Sequence, residues 1–411
     1  MNAAAGARPA PFTGATARSA GAVLEAPILT VHGSVSDAEA SWRSLEDVAA
    51  ITPYQRFDWL ATWQMQVGSR HGLEPFIIEV RAHGEPLAIL PMTRRVGTGL
   101  RIVEWMGGRD TNANLPLVHP TGADSLLPER ITQLLGDAAA HGGGVDLYAL
   151  ANQPLAIGAW QNPFAALRRS PAPSPGFGVP LTGDFQTFAL SRRTGRSLQT
   201  LRRKRRNLER KRGAVRFQTA KDPYEVEAAL ATFFDQRAAR FRDQGIRNSF
   251  NDDALHTFIE DRARATSGGQ PVLMFHTLTA GDTIVATYGG IRHGAHYSCY
   301  VNSFTHDPDL ARFSPGDILL HDLLQHLCSN GVRTFDIGIG RERYKANWCD
   351  EIPLFDSILP MTGPGHLLAL TLGAKMRAKS AIKGNDRLWA LTKSLRARTG
   401  GGRAIIALTG G

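Results

Sequence analysis

Cysteine is scarce. The 411 residues hold three, Cys299, Cys328 and Cys349, at spacings of 29 and 21 and with no C-x-x-C. That excludes a disulfide framework and speaks against a cysteine-rich metal site; it suits a reducing, cytoplasmic compartment. No apolar run approaches the ~18 residues that a spanning helix needs. No continuous apolar stretch accompanies Arg8 and Arg18, so neither a membrane span nor a secretory signal is expected. His293, His296, His306 and His321 show no H-x-x-x-H or H-E-x-x-H spacing, so no metal is expected. G-x-S-x-G and the P-loop are both absent, which argues against hydrolase and nucleotidase chemistry.

What remains is an ordinary globular composition, 43% apolar and 20% charged, on a chain long enough for two or three domains or one large core. The net charge of +10 is uneven. Arg196–Gly213 and Lys375–Arg403 each carry nine basic residues and one acidic, which leaves the rest of the chain at about −6. The basicity therefore belongs to two segments and not to the body.

Along the chain, residues 1–24 are rich in Ala, Gly, Pro and Thr without periodicity, and read as disordered. Hydrophobic period then predicts a strand at 27–32, helices at 38–50 and 57–67 separated by Thr52-Pro53, and strands at 75–81, 86–95 and 100–106. A helix at 125–140 and a strand at 145–150 complete this unit. A proline-rich stretch (Pro171, Pro173, Pro175, Pro180) marks a seam. The order β-α-α-β-β-β-α-β then recurs: strand 214–219, helices 223–241 and 252–265, strands 271–278, 283–291 and 295–301, helix 315–330, strand 334–339. The spacing is near 190 residues. An α/β (α+β) fold of two similar units follows, divided as 25–192 and 193–363, with a basic helical tail at 364–411. The tail packs on the body with its charged face outward or meets an anionic membrane surface.

The second unit carries the richest stretch. Ser314 and Pro315 suit the start of a helix, and Asp317 completes an S-x-x-D box. Leu319, Leu320, Leu323, Leu324 and Leu327 form one apolar face, and Asn330-Gly331 stops the helix. In the strand that follows, Phe335, Ile337 and Ile339 alternate with Asp336, Gly338 and Gly340, leaving a face with one carboxylate and room for a ligand. The next loop holds Arg341, Glu342, Arg343, Tyr344, Lys345 and Trp348.

Ser314-Pro315-Gly316 with Leu319-Leu320, then Gly331, Phe335-Asp336, Gly340, Tyr344-Lys345 and Trp348, resemble the CelD/BcsL-type (BioF2-like) family of the GNAT acyltransferase superfamily. That family is associated with cellulose and exopolysaccharide biosynthesis. Thr52-Pro53-Tyr54-Gln55, Trp59, Trp63 and Trp105-Met106-Gly107-Gly108 extend the likeness over about 45–360. The usual Q/R-x-x-G-x-G/A donor loop is reduced to Arg312-Phe313-Ser314-Pro315-Gly316. Tandem units also resemble the Fem-type aminoacyltransferases, whose donor is aminoacyl-tRNA.

The resemblance implies tandem GNAT-like units and transfer of an acetyl or other acyl group from CoA, without metal. The acceptor would be an amine or hydroxyl of a sugar or cell-envelope precursor. Arg312, Ser314, Pro315 and Gly316 would grip the donor's pyrophosphate, using the free amides at a helix start; a capped structural helix is the alternative. Asp336 would act as base, or pair structurally with Arg341 or Arg343. Tyr344 would protonate the leaving thiolate, and Lys345 would hold a phosphate or carboxylate. Arg341 and Trp348 are candidate substrate contacts. The first unit would be scaffold or acceptor platform. Two rivals stay open: an aminoacyl-tRNA-dependent enzyme, and a non-catalytic subunit of a polysaccharide-synthesis complex docked at the inner membrane. Nucleic acid is expected only in the first.

Overall fold

The computed structural model describes residues 27–95, 99–122, 129–243 and 249–384, with side-chain surroundings given as far as 374. The expected disordered segment 1–24 and the side chains of the basic stretch 375–403 lie outside the described residues. So do the first residues of the helix expected at 125–140.

The first unit runs β1 (Ile28–His32), α1 (Glu39–Glu46), α2 (Phe57–Trp63), β2 (Leu73–Pro75), β3 (Ile77–Ala82), β4 (Glu85–Leu90), β5 (Met92–Arg95), β6 (Ile102–Trp105), β7 (Leu117–Val118), α3 (Ile131–His141) and β8 (Leu147–Pro154). Pro91 lacks an N–H for the ladder, and it divides β4 from β5. The strands consequently belong to two sheets, β1-β3-β4-β7 and one built on β8-β6-β5-β2.

A ribbon of β9 (Ala156–Ile157) and β10 (Trp160–Gln161) follows, then β11 (Arg169–Pro171), β12 (Gly176–Pro180) and α4 (Phe185–Arg192). The second unit has α5 (Gly195–Arg212), β13 (Val215–Thr219), α6 (Pro223–Asp243) and α7 (Asp253–Arg264). Next come the ribbon β14 (Thr266–Ser267) with β15 (Gln270–Pro271), then β16 (Met274–Ala280), β17 (Thr283–His293) and β18 (His296–Phe304). It ends with α8 (Pro308–Ala311), α9 (Pro315–Ser329), β19 (Thr334–Ile339), α10 (Arg343–Ala346), β20 (Asp350–Ile352), β21 (Leu354–Pro360) and α11 (Gly363–Gly384). The expected mixed α/β architecture, sheets flanked by helices, is therefore present.

Two strands bind the units together. β12 precedes the second unit in sequence, yet it lies between β19 and β20 in the seven-stranded sheet β13-β16-β17-β18-β19-β12-β20. β21 belongs to the second unit in sequence, yet it pairs with β8 in the six-stranded sheet β11-β21-β8-β6-β5-β2. One apolar core also spans both halves, joining Trp42, Tyr54, Trp59 and Trp63 to Phe233, Phe258 and Phe275. Each fully buried side chain of this size contributes roughly 1.5–3 kcal/mol, so the units are held as one body.

The seven-stranded sheet is covered on one face by α6 and α7 and on the other by α4, α5 and α9. Helix α5 shows why a segment this basic folds: Thr194 caps it through Ser197 N–H at 3.2 Å, and Leu198, Leu201 and Leu208 form its buried stripe. Helix α9 buries Ile318, Leu319, Leu320, Leu323, Leu324 and Leu327, the face expected from its spacing. Among the described residues no helix is long and apolar enough to cross a membrane.

Candidate functional site

β18 and β19 run parallel for only three pairs, His296↔Thr334 to Ser298↔Asp336. Both strands bulge immediately afterwards. Tyr300 is the extra residue of β18 against Gly289–Gly290 of β17, and Ile337 is the extra residue of β19 against Phe177–Gly178 of β12. A bulge bends its strand and strengthens the local twist, so the two strands part from this point. The expected strict alternation along Thr334–Gly340 breaks here, with Gly338 at φ +83°.

The parting strips Cys299 of a strand partner for its carbonyl. The first unit supplies one: Tyr54 Oη donates to Cys299 O at 3.2 Å and Asn112 Nδ2 donates to it at 2.9 Å. Tyr54 is aimed there by the Thr52–Gln55 capping box. Asn112 sits against the missing side chain of Gly338; a Cβ there would meet its amide at 2.9–3.3 Å.

At the base of the parting, Asp336 is largely buried. Its Oδ2 accepts from Ser298 Oγ and lies 3.1 Å from His296 Nε2. Its Oδ1 is buried with no partner among the described residues. Neither arginine expected to pair with it does so: Arg341 is exposed and reaches Glu351 at 3.1 Å, and Arg343 stands exposed on α10.

Beyond Gly340 the chain turns into α10, which carries Tyr344 back across the opening. Asn302 Nδ2 of β18 donates to Tyr344 Oη at 2.8 Å. The phenol therefore keeps its own proton, which it directs to the Glu342 carboxylate. Burial, then the charge of Glu342, holds it far above the ordinary tyrosine range, so it stays protonated. Arg240 reaches Glu342 at 2.8 Å. Burial alone would raise the Glu342 carboxyl, but Lys345 and Arg240 more than offset this and hold it below its usual value. Lys345 is buried and donates to Ile339 O at 2.8 Å; burial draws its ammonium down, against the pull of Glu342.

The start of α9 departs from expectation. Ser314 holds the N-cap position and Pro315 the first helical one, as expected, but the Ser314 side chain makes no capping bond. Ser314 adopts a left-handed backbone, φ +54°, and its own carbonyl takes the N–H groups of Asp317 and Ile318 at 3.0 and 3.2 Å. Its Oγ accepts instead from Lys204 of α5 at 2.7 Å. Asp317 is turned inward, where Arg193 Nη1 contacts both its oxygens at 2.8 and 2.9 Å and Trp348 Nε1 donates at 3.0 Å. Trp348 is thus fully buried, which leaves no face of the indole for a substrate. Gly316 N–H has no partner among the described residues, Pro315 is buried, and Arg312 lies exposed over Phe313.

The structure brings Tyr344 and Lys345 together on α10 and places Asp336 at the root of the same opening. Ser314, Pro315, Gly316 and Arg312 form a second cluster at the start of α9. Sequence reasoning missed Asn302, Arg240, Arg237 and Asn112. One signal was legible: Val226, Leu230 and Phe233 of α6 make a buried stripe whose next step is Arg237, an arginine at an apolar position. Among the described residues no group of three or more metal-ligating side chains occurs.

Residues 195–346 match the family model described as an acetyltransferase (GNAT) domain. This stretch contains the parted strands, α9 and α10 through Ala346. No curated protein matches the sequence. Among solved structures, a conserved protein of unknown function from Bacteroides thetaiotaomicron VPI-5482 is similar at TM-score 0.51 and 9% identity, covering 82% of this chain and 100% of that one. FemX is similar at TM-score 0.51 and 11% identity, covering 81% and 97%. The C-terminal DUF2156 domain of an Agrobacterium fabrum protein described as a lysylphosphatidylglycerol synthetase gives 0.49 and 15%, covering 82% and 95%. At 9–11% identity, the first two likenesses establish the fold.

Proposed function

We propose that the protein is an acyltransferase that moves an acetyl or other acyl group from a CoA thioester to an amine or hydroxyl. The observation that carries this reading is the parting of β18 and β19, with a protonated Tyr344 held across it by Asn302. A thioester lying between the strands would present its sulfur to Tyr344, which donates a proton as the thiolate leaves. Asp336, with one oxygen unpartnered, takes the acceptor's proton.

The start of α9 fits the donor's phosphates. Gly316 N–H has no partner among the described residues, and Lys204 and Arg312 add two cations. The carboxylate of Asp317 does not repel them, because Arg193 neutralises it from inside. The acceptor class, a sugar or cell-envelope precursor of exopolysaccharide synthesis, rests on the CelD/BcsL resemblance. Docking on polysaccharide-synthesis machinery or an anionic inner-membrane surface would follow from it.

A second reading, an aminoacyl-tRNA donor, is favoured by α5. Arg196, Arg202, Arg203 and Arg206 stand exposed there with no carboxylate partner among the described residues. RNase sensitivity of the activity would select it. The main reading is tested by turnover with acetyl-CoA and an amine panel. Tyr344→Phe and Asp336→Asn should each lower kcat by about 10²-fold or more with KM for the donor little changed. Full activity in both folded variants would overturn it.

A further inference from the structure

We propose that Arg237 anchors an anionic group, a carboxylate or a phosphate, on the molecule that receives the acyl group. That this molecule accepts an acyl group rests on the acyltransferase reading; the anion site itself does not.

Helix α6 packs on the sheet through Val226, Ala229, Leu230 and Phe233, and this stripe runs on to Arg237. An arginine at such a position normally meets a carboxylate, because a buried charge left unpaired is costly. Arg237 meets none. Its guanidinium lies 4.9 Å from the Phe241 ring and 5.1 Å from the Phe250 ring. Its Nε is buried without a hydrogen-bond partner, and no acid lies within ion-pair reach among the described residues.

The neighbouring charges do not compensate it. Glu342 faces the cluster but is taken by Arg240 at 2.8 Å and faces Lys345 at 4.0 Å. Asp243, on the next turn of α6, points to His306 at the surface. Three cations, Arg237, Arg240 and Lys345, thus stand against one carboxylate. Burial, with Arg240 adding to it, draws the Arg237 guanidinium down to about 10. A folded protein that keeps a desolvated, uncompensated cation beside a reaction centre has left its counter-ion to a ligand.

The chemistry of the missing partner follows from the fork. A guanidinium offers parallel N–H groups that match the two oxygens of a carboxylate or phosphate. The ring contacts hold the plane of the fork, while Tyr344 and Glu342 lie within electrostatic reach of Arg237. An anion seated here would set the rest of the acceptor beside Tyr344. Specificity would then favour acceptors bearing a negative group at a fixed distance from the reacting amine or hydroxyl.

The test uses the full chain with two probes, inorganic phosphate and succinate, read by thermal melting and titration calorimetry. The wild type should be stabilised by at least one probe, and which one separates a phosphate-bearing acceptor from a carboxylate-bearing one. Arg237→Gln should weaken that probe's affinity about ten-fold or more, while the unliganded variant melts no lower than wild type, since it has lost an unpaired charge. Arg237→Lys, which keeps the charge but not the fork, should fall between. Equal probe affinity in wild type and Arg237→Gln would overturn the proposal. So would a wild type indifferent to both probes, or an unliganded Arg237→Gln that melts markedly lower. Acetyl-CoA titrated in parallel keeps the two claims apart: no donor binding by the wild type would sink the acyltransferase reading while the probe result still judged Arg237.

Discussion

Replacing Gly338 by alanine should destabilise the protein through two separable terms. The first is backbone strain. At φ +83° an L-residue is in the left-handed region, at a cost of roughly 1–2 kcal/mol. The second is collision. The new Cβ would lie 2.9–3.3 Å from the Asn112 amide, so Asn112 must swing away from Cys299 O. That forfeits a hydrogen bond at the unit boundary, worth about 1–3 kcal/mol when a buried group is left short of a partner. Gly338→Ala alone should therefore cost about 2–5 kcal/mol. In an Asn112→Ala background only the strain remains. Urea unfolding of the four proteins in this cycle should give a coupling of about 1–3 kcal/mol, with the two changes together costing less than their sum. Additivity to within about 0.5 kcal/mol would refute the claim that Asn112 occupies the space Gly338 leaves open.

Asp317→Asn should cost about 2–4 kcal/mol in equilibrium unfolding, because Arg193 keeps its charge while losing its counter-ion beside Trp348; a loss under about 0.5 kcal/mol would contradict the internal neutralisation of α9. His276 is fully buried, and its imidazole is pushed down to about 3 by burial, with His326 adding to it. The unfolded chain binds this proton below about pH 6.5 and the folded chain does not. Stability should thus fall by about 1.4 kcal/mol per pH unit from this residue between pH 6 and pH 4. His276→Leu should flatten that slope in pH-dependent unfolding; an unchanged slope would place the proton-linked group elsewhere. Glu342, held below the usual carboxylate range, stabilises the fold above its unfolded pKa and loses that contribution as pH falls through its folded one. Glu342→Gln should therefore lose stability at neutral pH and approach wild type in acid.

The alternation of elements was legible because it rests on local period. The leucine face of α9 and the order of strands around α6 and α7 follow from spacing within each element. The exchange of β12 and β21 was not. Gly176–Pro180 and Leu354–Pro360 are short extended runs whose sequences say nothing of which sheet will take them; that choice depends on chain closure across more than a hundred residues. Tyr344, Lys345 and Asp336 stood out as chemistry in a glycine-flanked stretch. The opening they border was invisible, because it arises from bulges at Tyr300 and Ile337 that involve neighbouring strands. The capping box at Ser314 fitted the pattern and failed in space: Arg193 and Trp348, far off in sequence or beyond the helix, compete for Asp317 and win.

The central claim is that the parted strands and the start of α9 hold a CoA thioester. Calorimetric titration of the full chain with acetyl-CoA tests it most directly. Saturable one-to-one binding is expected, weakened about ten-fold or more by Lys204→Met in a variant that remains folded. A folded wild type that takes up no heat across the titration, or a Lys204→Met variant that binds as well as wild type, would contradict it.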